Sequence, residues 1–422
     1  MFLQPSATIY AAGTLVSYFD VIASQRCTLD RWPFLQHASR LLFVIIAADF
    51  STRTSSTVVA FHAYPFRRDG RRIVVRRIAL IRSFTTIESI IVIVIIVPDP
   101  RLELRGLPWF AENSPELWRL PKSAQSRVPK GVWSRAIAPD GGRIRFSAAT
   151  SQLALRVQVV STQKKLAYFD AFIDAEFAGT AGSPGPQTVE LVLFSGRDRS
   201  AKNLTIYLPN TSEVRVLAVA VDRGAKLGPP PPFARPEPLV CYGSSVLQGT
   251  GSAHPSSTYP AVLARRLNLD FINLGFGGAG KAEPVVVELV NRPQACGFLF
   301  DLGKSYGAQP QEPYARMLAD IRARHPTVPI FCVTPIYSTK EVNEKGYRER
   351  SEDLRTLMRS AAEARQQAGD RNIHVAEGLE LFGAADQDLF NDPLHPNDAG
   401  NERMGERLVP LVRANVLGAN QP

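Results

Sequence analysis

The chain is poor in the residues that cross-link a fold or hold a metal. Its 422 residues include four cysteines, Cys27, Cys241, Cys296 and Cys332, none in a Cys-x-x-Cys pair. That count excludes a disulfide framework or a zinc ribbon, and the last three lie in or beside apolar strand-like runs, so they are expected to be buried free thiols. Histidine is scarce too, at six residues. The most apolar run, Ile90–Val97, is eight residues long, far below the ~20 of a membrane-spanning helix, and no membrane span is expected. The N-terminus lacks a basic stretch followed by an apolar core and a small-residue cleavage site, so no secretory signal is read and a cytoplasmic location is favoured. Lysine is absent from the first hundred residues, which hold 11 arginines and 6 acidic residues and so carry half of the net charge of +10. The other half is spread over an ordinary surface, and no nucleic-acid partner is expected.

Residues 1–103 alternate apolar patches with arginine pairs at 67–68, 71–72 and 76–77, without a sustained helical or strand period. They read as a doubtful leader, translated from a misplaced start; the alternative is a basic targeting or interaction segment. From there the texture changes. Arg143–Ala149, Leu153–Val160, Leu166–Asp174, Thr188–Phe194, Leu204–Leu208 and Val214–Val221 are short β-rich runs separated by turn signals, which predicts a small antiparallel β-sandwich, jelly-roll-like, over 104–227. The proline-dense stretch 228–238 is a semi-rigid linker. Over 239–416 strand-like runs at Leu239–Tyr242, Phe271–Leu274, Gly297–Leu302, Ile330–Thr334 and Ile373–Ala376 alternate with helical stretches. That alternation predicts an α/β domain, a parallel sheet between two helical layers, with its site beyond the strands' C-terminal ends. Residues 417–422 form a tail.

Two loops of this second domain carry candidate chemistry. The first strand ends in Gly243-Ser-Ser-Val-Leu-Gln-Gly249, which presents Ser245 in a loop. A nucleophile elbow needs glycine two residues after the serine, where Leu247 stands, so the α/β-hydrolase arrangement is excluded. His395 lies in Asn391-Asp-Pro-Leu-His-Pro-Asn-Asp-Ala-Gly400 before the last helix. Asp392, three residues earlier, is placed to hold the imidazole Nδ1–H while Nε2 faces a serine hydroxyl; the bland reading is a capped helix start, Asp398 being a good cap. Asn273-Leu-Gly-Phe-Gly-Gly-Ala-Gly280 offers backbone N–H groups for a developing oxyanion, and its competing reading is a Gly-x-Gly-x-x-Gly phosphate loop. His254 sits in a plain polar loop.

In order along the chain, Gly-Ser-Ser-Val-Leu-Gln-Gly, Asn-Leu-Gly-Phe-Gly-Gly-Ala-Gly and Asp-Pro-Leu-His resemble blocks one, two and five of the SGNH/GDSL serine esterases, with Ser244 where many members have Asp. Arg105–Phe110, Tyr168–Phe177, Leu204–Pro209 and the proline-rich linker resemble the branch in which a β-sandwich precedes the esterase domain, so the resemblance covers about residues 104–416. It implies the SGNH three-layer α/β/α fold and a serine esterase acting on a carboxylic ester of a short acyl group, a sugar O-acetyl among them, on a small-molecule or glycan substrate. It also implies no cofactor and no metal. Ser245 would be the nucleophile, His395 the base and Asp392 its orienter. The Ser245 and Gly278 N–H groups would form the oxyanion hole. In block three the family has an Asn where this chain has Ser305, which puts the third donor and full activity in question. The alternative is a catalytically weak member that binds carbohydrate through its sandwich.

Overall fold

The structure is a computed structural model that describes residues 99–418 and six short strands within the first 98. The chain divides into two compact units, Met1–Ile90 and Ile91–Pro422. The first contains an antiparallel hairpin, Thr8–Ala11 with Thr14–Ser17, and a three-stranded sheet of Ile45–Ile46, Val58–Phe61 and Ile78–Ile81. Its arginine pairs and Cys27, and with them the expectation of a misplaced start, fall outside the described residues.

The second unit begins with strand β1 (Val92–Ile96), followed by β2 (Glu103–Arg105), β3 (Arg143–Ala149), β4 (Leu153–Thr162), β5 (Ala167–Ile173), β6 (Glu176–Ser183), β7 (Gln187–Phe194), β8 (Ala201–Tyr207), β9 (Ser212–Asp222) and β10 (Leu227–Gly228). They form two antiparallel sheets, ordered β6-β5-β8-β3-β10 with β2 also on β3, and β7-β4-β9-β1. In β4 the alternation sends Leu155, Val157 and Val159 inward and Arg156 and Gln158 outward, so one face of each sheet closes a shared core with Phe146, Phe169, Leu204 and Val219. Three features differ from the sequence reading. Strand β6 is Glu-Phe-Ala-Gly-Thr-Ala-Gly-Ser, too rich in small residues to signal a strand; its pairing with β5 creates it. Strand β1 pairs with β9, Val92–Ile96 opposite Asp222–Ala218, so residues that the sequence reading assigned to the leader form an edge of this sheet, and the boundary expected after residue 103 falls within β2. Residues 110–136 contribute no strand to the sandwich. Leu120, Ala124, Val128, and Val132 and Ala136 of helix α1 (Lys130–Ala136) instead join the core of the following domain, beside Val240, Tyr242 and Ile272.

That domain is a five-stranded parallel sheet of β11 (Leu239–Gly243), β12 (Phe271–Gly275), β13 (Gly297–Asp301), β14 (Ile330–Val333) and β15 (Ile373–Ala376), in the order β12-β11-β13-β14-β15. Successive residues of a strand point to opposite faces, and both faces here are apolar. Val240, Tyr242, Phe298 and Phe300 enter a core covered by α4 (Pro284–Val290), α5 (Gln311–Arg324) and α6 (Tyr347–Gln367). Leu239, Cys241, Leu299 and Phe331 enter the opposite core, closed by α3 (Tyr259–Arg266) and α7 (Asp398–Val412). This is the three-layer α/β/α arrangement. Cys241, Cys296 and Cys332 are buried and free, and burial pushes the thiols of Cys296 and Cys332 up to about 12. The sheet's order reverses at β11, so the crevice at the C-terminal ends of β11 and β13 is the place for a ligand. No described helix is long and apolar enough to cross a membrane.

Buried polar contacts fasten the sandwich to this domain. Arg119, wholly buried, donates to the carbonyls of Asn273 (2.8 Å), Gly275 (2.7 Å), Ala138 (2.9 Å) and Arg135 (2.6 Å), and pairs with the equally buried Asp140 at 3.2 Å. Arg143 pairs with Asp270 and lies 4.0 Å over the Phe271 ring.

Candidate active site

Beyond β11 the chain turns into a single helical turn, α2 (Ser245–Gln248). Ser244 caps it: its Oγ accepts the Val246 N–H at 3.2 Å, and Gly249, at φ +87°, ends it. Ser245 is therefore the first helical residue, and its N–H has no acceptor within the turn. Its side chain stands half-buried at the sheet's C-terminal edge.

The loop Asn391–His395 comes to it from the far end of the chain. His395 Nε2 lies 2.8 Å from Ser245 Oγ, and His395 Nδ1 lies 2.8 Å and 3.0 Å from the two carboxylate oxygens of Asp392. Asp392 also accepts the N–H groups of Leu394 (2.8 Å) and His395 (3.0 Å), which fix its rotamer. Partial burial raises the Asp392 carboxyl, but the hydrogen bonds from His395 and the loop amides outweigh it and hold the group below the usual carboxylate range. The helix-cap reading also has its residue, one position from that expected: Asn397 accepts the Gly400 N–H.

After β12 the glycine loop passes beside Ser245. Gly278 has φ +70°, a conformation L side chains rarely adopt, so a glycine is needed there. Its N–H donates to Ser305 Oγ at 3.1 Å, so the third-block serine does face the same spot. Gln248 Oε1 accepts the Gly277 N–H at 2.8 Å and pins the loop.

Under Ser244, wholly buried Asp301 ends β13. It accepts Tyr259 OH at 2.9 Å and, at 3.5 Å, Ser244 Oγ; burial pushes its carboxyl up to about 6 against these hydrogen bonds. The five residues named from the sequence, Ser245, His395, Asp392, Gly278 and Ser305, are thus brought to one place, and all but Asp392 line a cavity of about 450 Å³.

The cavity has walls that sequence reasoning missed. Arg135 from α1, Gln163 from the β4–β5 turn, Lys304, Ile336, Tyr347 and Leu394 line it. Arg135 and Gln163 lie about a hundred residues from Ser245, and no local motif marks them. Next to Gln163, Lys164 reaches the carbonyls of Gly249 and Ser252, while Asn210 Nδ2 donates to the Gly249 carbonyl at 2.9 Å. The sandwich therefore braces the loop that follows Ser245. His254 faces elsewhere: its Nδ1 is 3.0 Å from the buried Asp170 of β5, which also accepts Ser256 Oγ at 2.7 Å, and its ring packs on Tyr168. Among the described residues no three His, Cys, Asp or Glu side chains are grouped to hold a metal.

Comparison with known proteins gives the same picture. Residues 236–413 match the GDSL-like lipase/acylhydrolase family, and residues 99–227 match the N-terminal domain of SGNH-hydrolase-type esterases. The structure is similar to that of the salicylyl-acyltransferase SsfX3 of a tetracycline biosynthetic pathway, at 25% identity and TM-score 0.68 over 78% of this chain and 98% of that one. It is also similar to a protein described as a GDSL-like lipase from Bacteroides ovatus, at 25% identity and TM-score 0.66 over 77% and 98%. A family two carbohydrate esterase from Cellvibrio japonicus shares the fold at 14% identity and TM-score 0.53, over 78% and 98%. No curated protein matches the sequence. Residues 236–413 are thus a hydrolase domain of the GDSL-like lipase/acylhydrolase family, preceded over residues 99–227 by the N-terminal domain of SGNH-hydrolase-type esterases.

Proposed function

We propose that this protein hydrolyses a carboxylic ester of a short acyl group by way of an acyl-enzyme on Ser245. What carries the reading is the 2.8 Å approach of His395 Nε2 to Ser245 Oγ, with Asp392 on the other ring nitrogen. As Oγ attacks the ester carbonyl, its proton passes to Nε2, and Asp392 stabilises the imidazolium and holds its tautomer. The N–H groups of Ser245 and Gly278 and the Ser305 hydroxyl receive the oxyanion. His395 then gives the proton to the departing alkoxide, and the alcohol leaves. Water, deprotonated by the same Nε2, attacks the acyl-enzyme and releases the acid and Ser245. A cavity near 450 Å³ is at the small end of ligand pockets, which supports a short acyl group. A sugar O-acetyl fits that size.

The similarity to an acyltransferase supports a second use of the same intermediate, attack by an alcohol in place of water. Fluorophosphonate labelling of wild type and Ser245→Ala tests the nucleophile. A serine-dependent adduct is expected; labelling that survives Ser245→Ala, or no labelling of wild type, rejects the acyl-enzyme in favour of a silent, carbohydrate-binding member. Rates on p-nitrophenyl esters of rising chain length then test the acyl size, with acetate expected to exceed octanoate.

A further inference from the structure

The charges on the cavity wall are unbalanced. Besides the phenol of Tyr347, four ionisable side chains line it: Arg135, Lys304, Asp301 and His395. Asp301 is 3% exposed, sits behind Ser244 and is held by Tyr259. Lys304 pairs with Glu341 at 2.9 Å, and that carboxylate is shared with Arg355 at 2.7 Å. Arg135 differs from both. Among the described residues it has no carboxylate within 4 Å, and its only side-chain bonds run from Nη1 to Gly131 O (3.2 Å) and Ser134 Oγ (2.9 Å) of its own helix. Among the described residues its Nε and Nη2 have no acceptor.

The position of Arg135 is fixed from behind. Its carbonyl is held by Arg119, which also donates to the carbonyls of Asn273 and Gly275 at the root of the glycine loop. Gly131, one turn earlier, lies against Ala279, next to Gly278. A half-buried guanidinium with two free donors is thus built against the oxyanion loop on a rigid support. A guanidinium is always charged and offers a planar fork that suits carboxylate and phosphate. Lys304 adds positive charge across the cavity, and burial lowers its ammonium to about 8 against the pull of Glu341.

Resting on the esterase reading, we infer that the substrate is an ester bearing an anionic group, a carboxylate or a phosphate, which Arg135 binds through its free Nε and Nη2 donors. This gives the segment between β2 and β3 a direct part in substrate choice, because Arg135 reaches the cavity through α1.

The test compares matched esters that differ by one charge: monoethyl succinate with ethyl butyrate for an anionic acyl group, and 4-acetoxybenzoate with 4-acetoxybenzamide for an anionic alcohol. Acid release is followed at constant pH in wild type, Arg135→Gln and Arg135→Lys, and each result is read as the ratio of kcat/KM, anionic over neutral. Wild type is expected to favour the anionic member of at least one pair. Arg135→Gln should lower that ratio about 10- to 100-fold, the range for a hydrogen bond to a charged group, and Arg135→Lys should keep part of it. Ratios near one in wild type, or equal in wild type and Arg135→Gln for both pairs, overturn the inference. Calorimetric binding of the same four esters to Ser245→Ala, with Arg135 or Gln at 135, repeats the comparison without turnover. Absence of hydrolysis then counts against the esterase reading, and absence of a charge preference in binding counts against this inference alone.

Discussion

Ser305 stands where the family has Asn, and Ser305→Ala measures what it does. Its Oγ is 3.1 Å from the Gly278 N, so a lone pair accepts that N–H while the hydroxyl proton stays free to turn. An oxyanion between Gly278 and Ser245 lies within reach of that proton. Losing one oxyanion donor typically costs 10²–10³ in kcat. The Gly278 N–H would no longer be shared with Oγ in the variant and would offset part of the loss, so the lower end is expected: kcat down about 100-fold, or about 2.7 kcal/mol, with KM little changed because the contact forms mainly in the transition state. Ser305→Asn, which supplies an amide N–H from a longer side chain, should keep kcat at or above wild type. The assay is steady-state hydrolysis of p-nitrophenyl acetate, with the burst amplitude confirming equal numbers of active sites. A kcat in Ser305→Ala equal to or above wild type would refute the reasoning, since it would mean that Oγ obstructs the Gly278 N–H instead of joining it.

His395→Ala should abolish ester hydrolysis, whereas Asp392→Asn should leave a measurable residue with kcat lowered by up to about 10⁴-fold; equal loss in both would contradict separate roles as base and orienter. Asp301 has its carboxyl raised from 3.8 to about 6, so the native state takes up its proton first and the stability tied to it is lost as pH rises from 3.8 to 6. At ~1.4 kcal/mol per pH unit the loss is about 3 kcal/mol, so Asp301→Asn should be more stable than wild type by up to that amount at pH 8 and indistinguishable from it near pH 3.5, as read by urea unfolding at both. Arg119→Met strands the buried Asp140 carboxylate and should destabilise the protein by about 3–5 kcal/mol, and adding Asp140→Asn should restore only part of it, because the carbonyls that Arg119 served stay unpaired; a single variant within about 1 kcal/mol of wild type in the same unfolding assay would show that the pair contributes little.

Much of the hydrolase domain is legible in the sequence because its signals are local. A strand buried on both faces reads as an unbroken apolar run, and β11 to β15 fall on the runs expected of them. Ser245 and the Asp392–His395 pair are visible as candidates because each is set by residues within a few positions: a glycine-flanked strand end, and an i, i+3 carboxylate in a tight loop. Strand β6 is not legible, since Gly179 and Gly182 give no β signal and only the hairpin with β5 imposes the conformation. Nor is the allegiance of residues 110–136, where Phe110 and Leu117 enter the sandwich core and the apolar side chains from Leu120 on enter the other, with nothing in their local pattern to tell them apart. The sequence by itself determined which elements form and which side chains could do acyl chemistry, because both depend on neighbours along the chain. The tertiary structure alone decided that 2.8 Å separates residues 150 positions apart, that Ser305 Oγ meets the Gly278 N–H, and that Arg135 and Gln163 wall the cavity. Those relations arise from packing between distant segments, and side-chain approach across such separations leaves no periodicity or spacing in the chain.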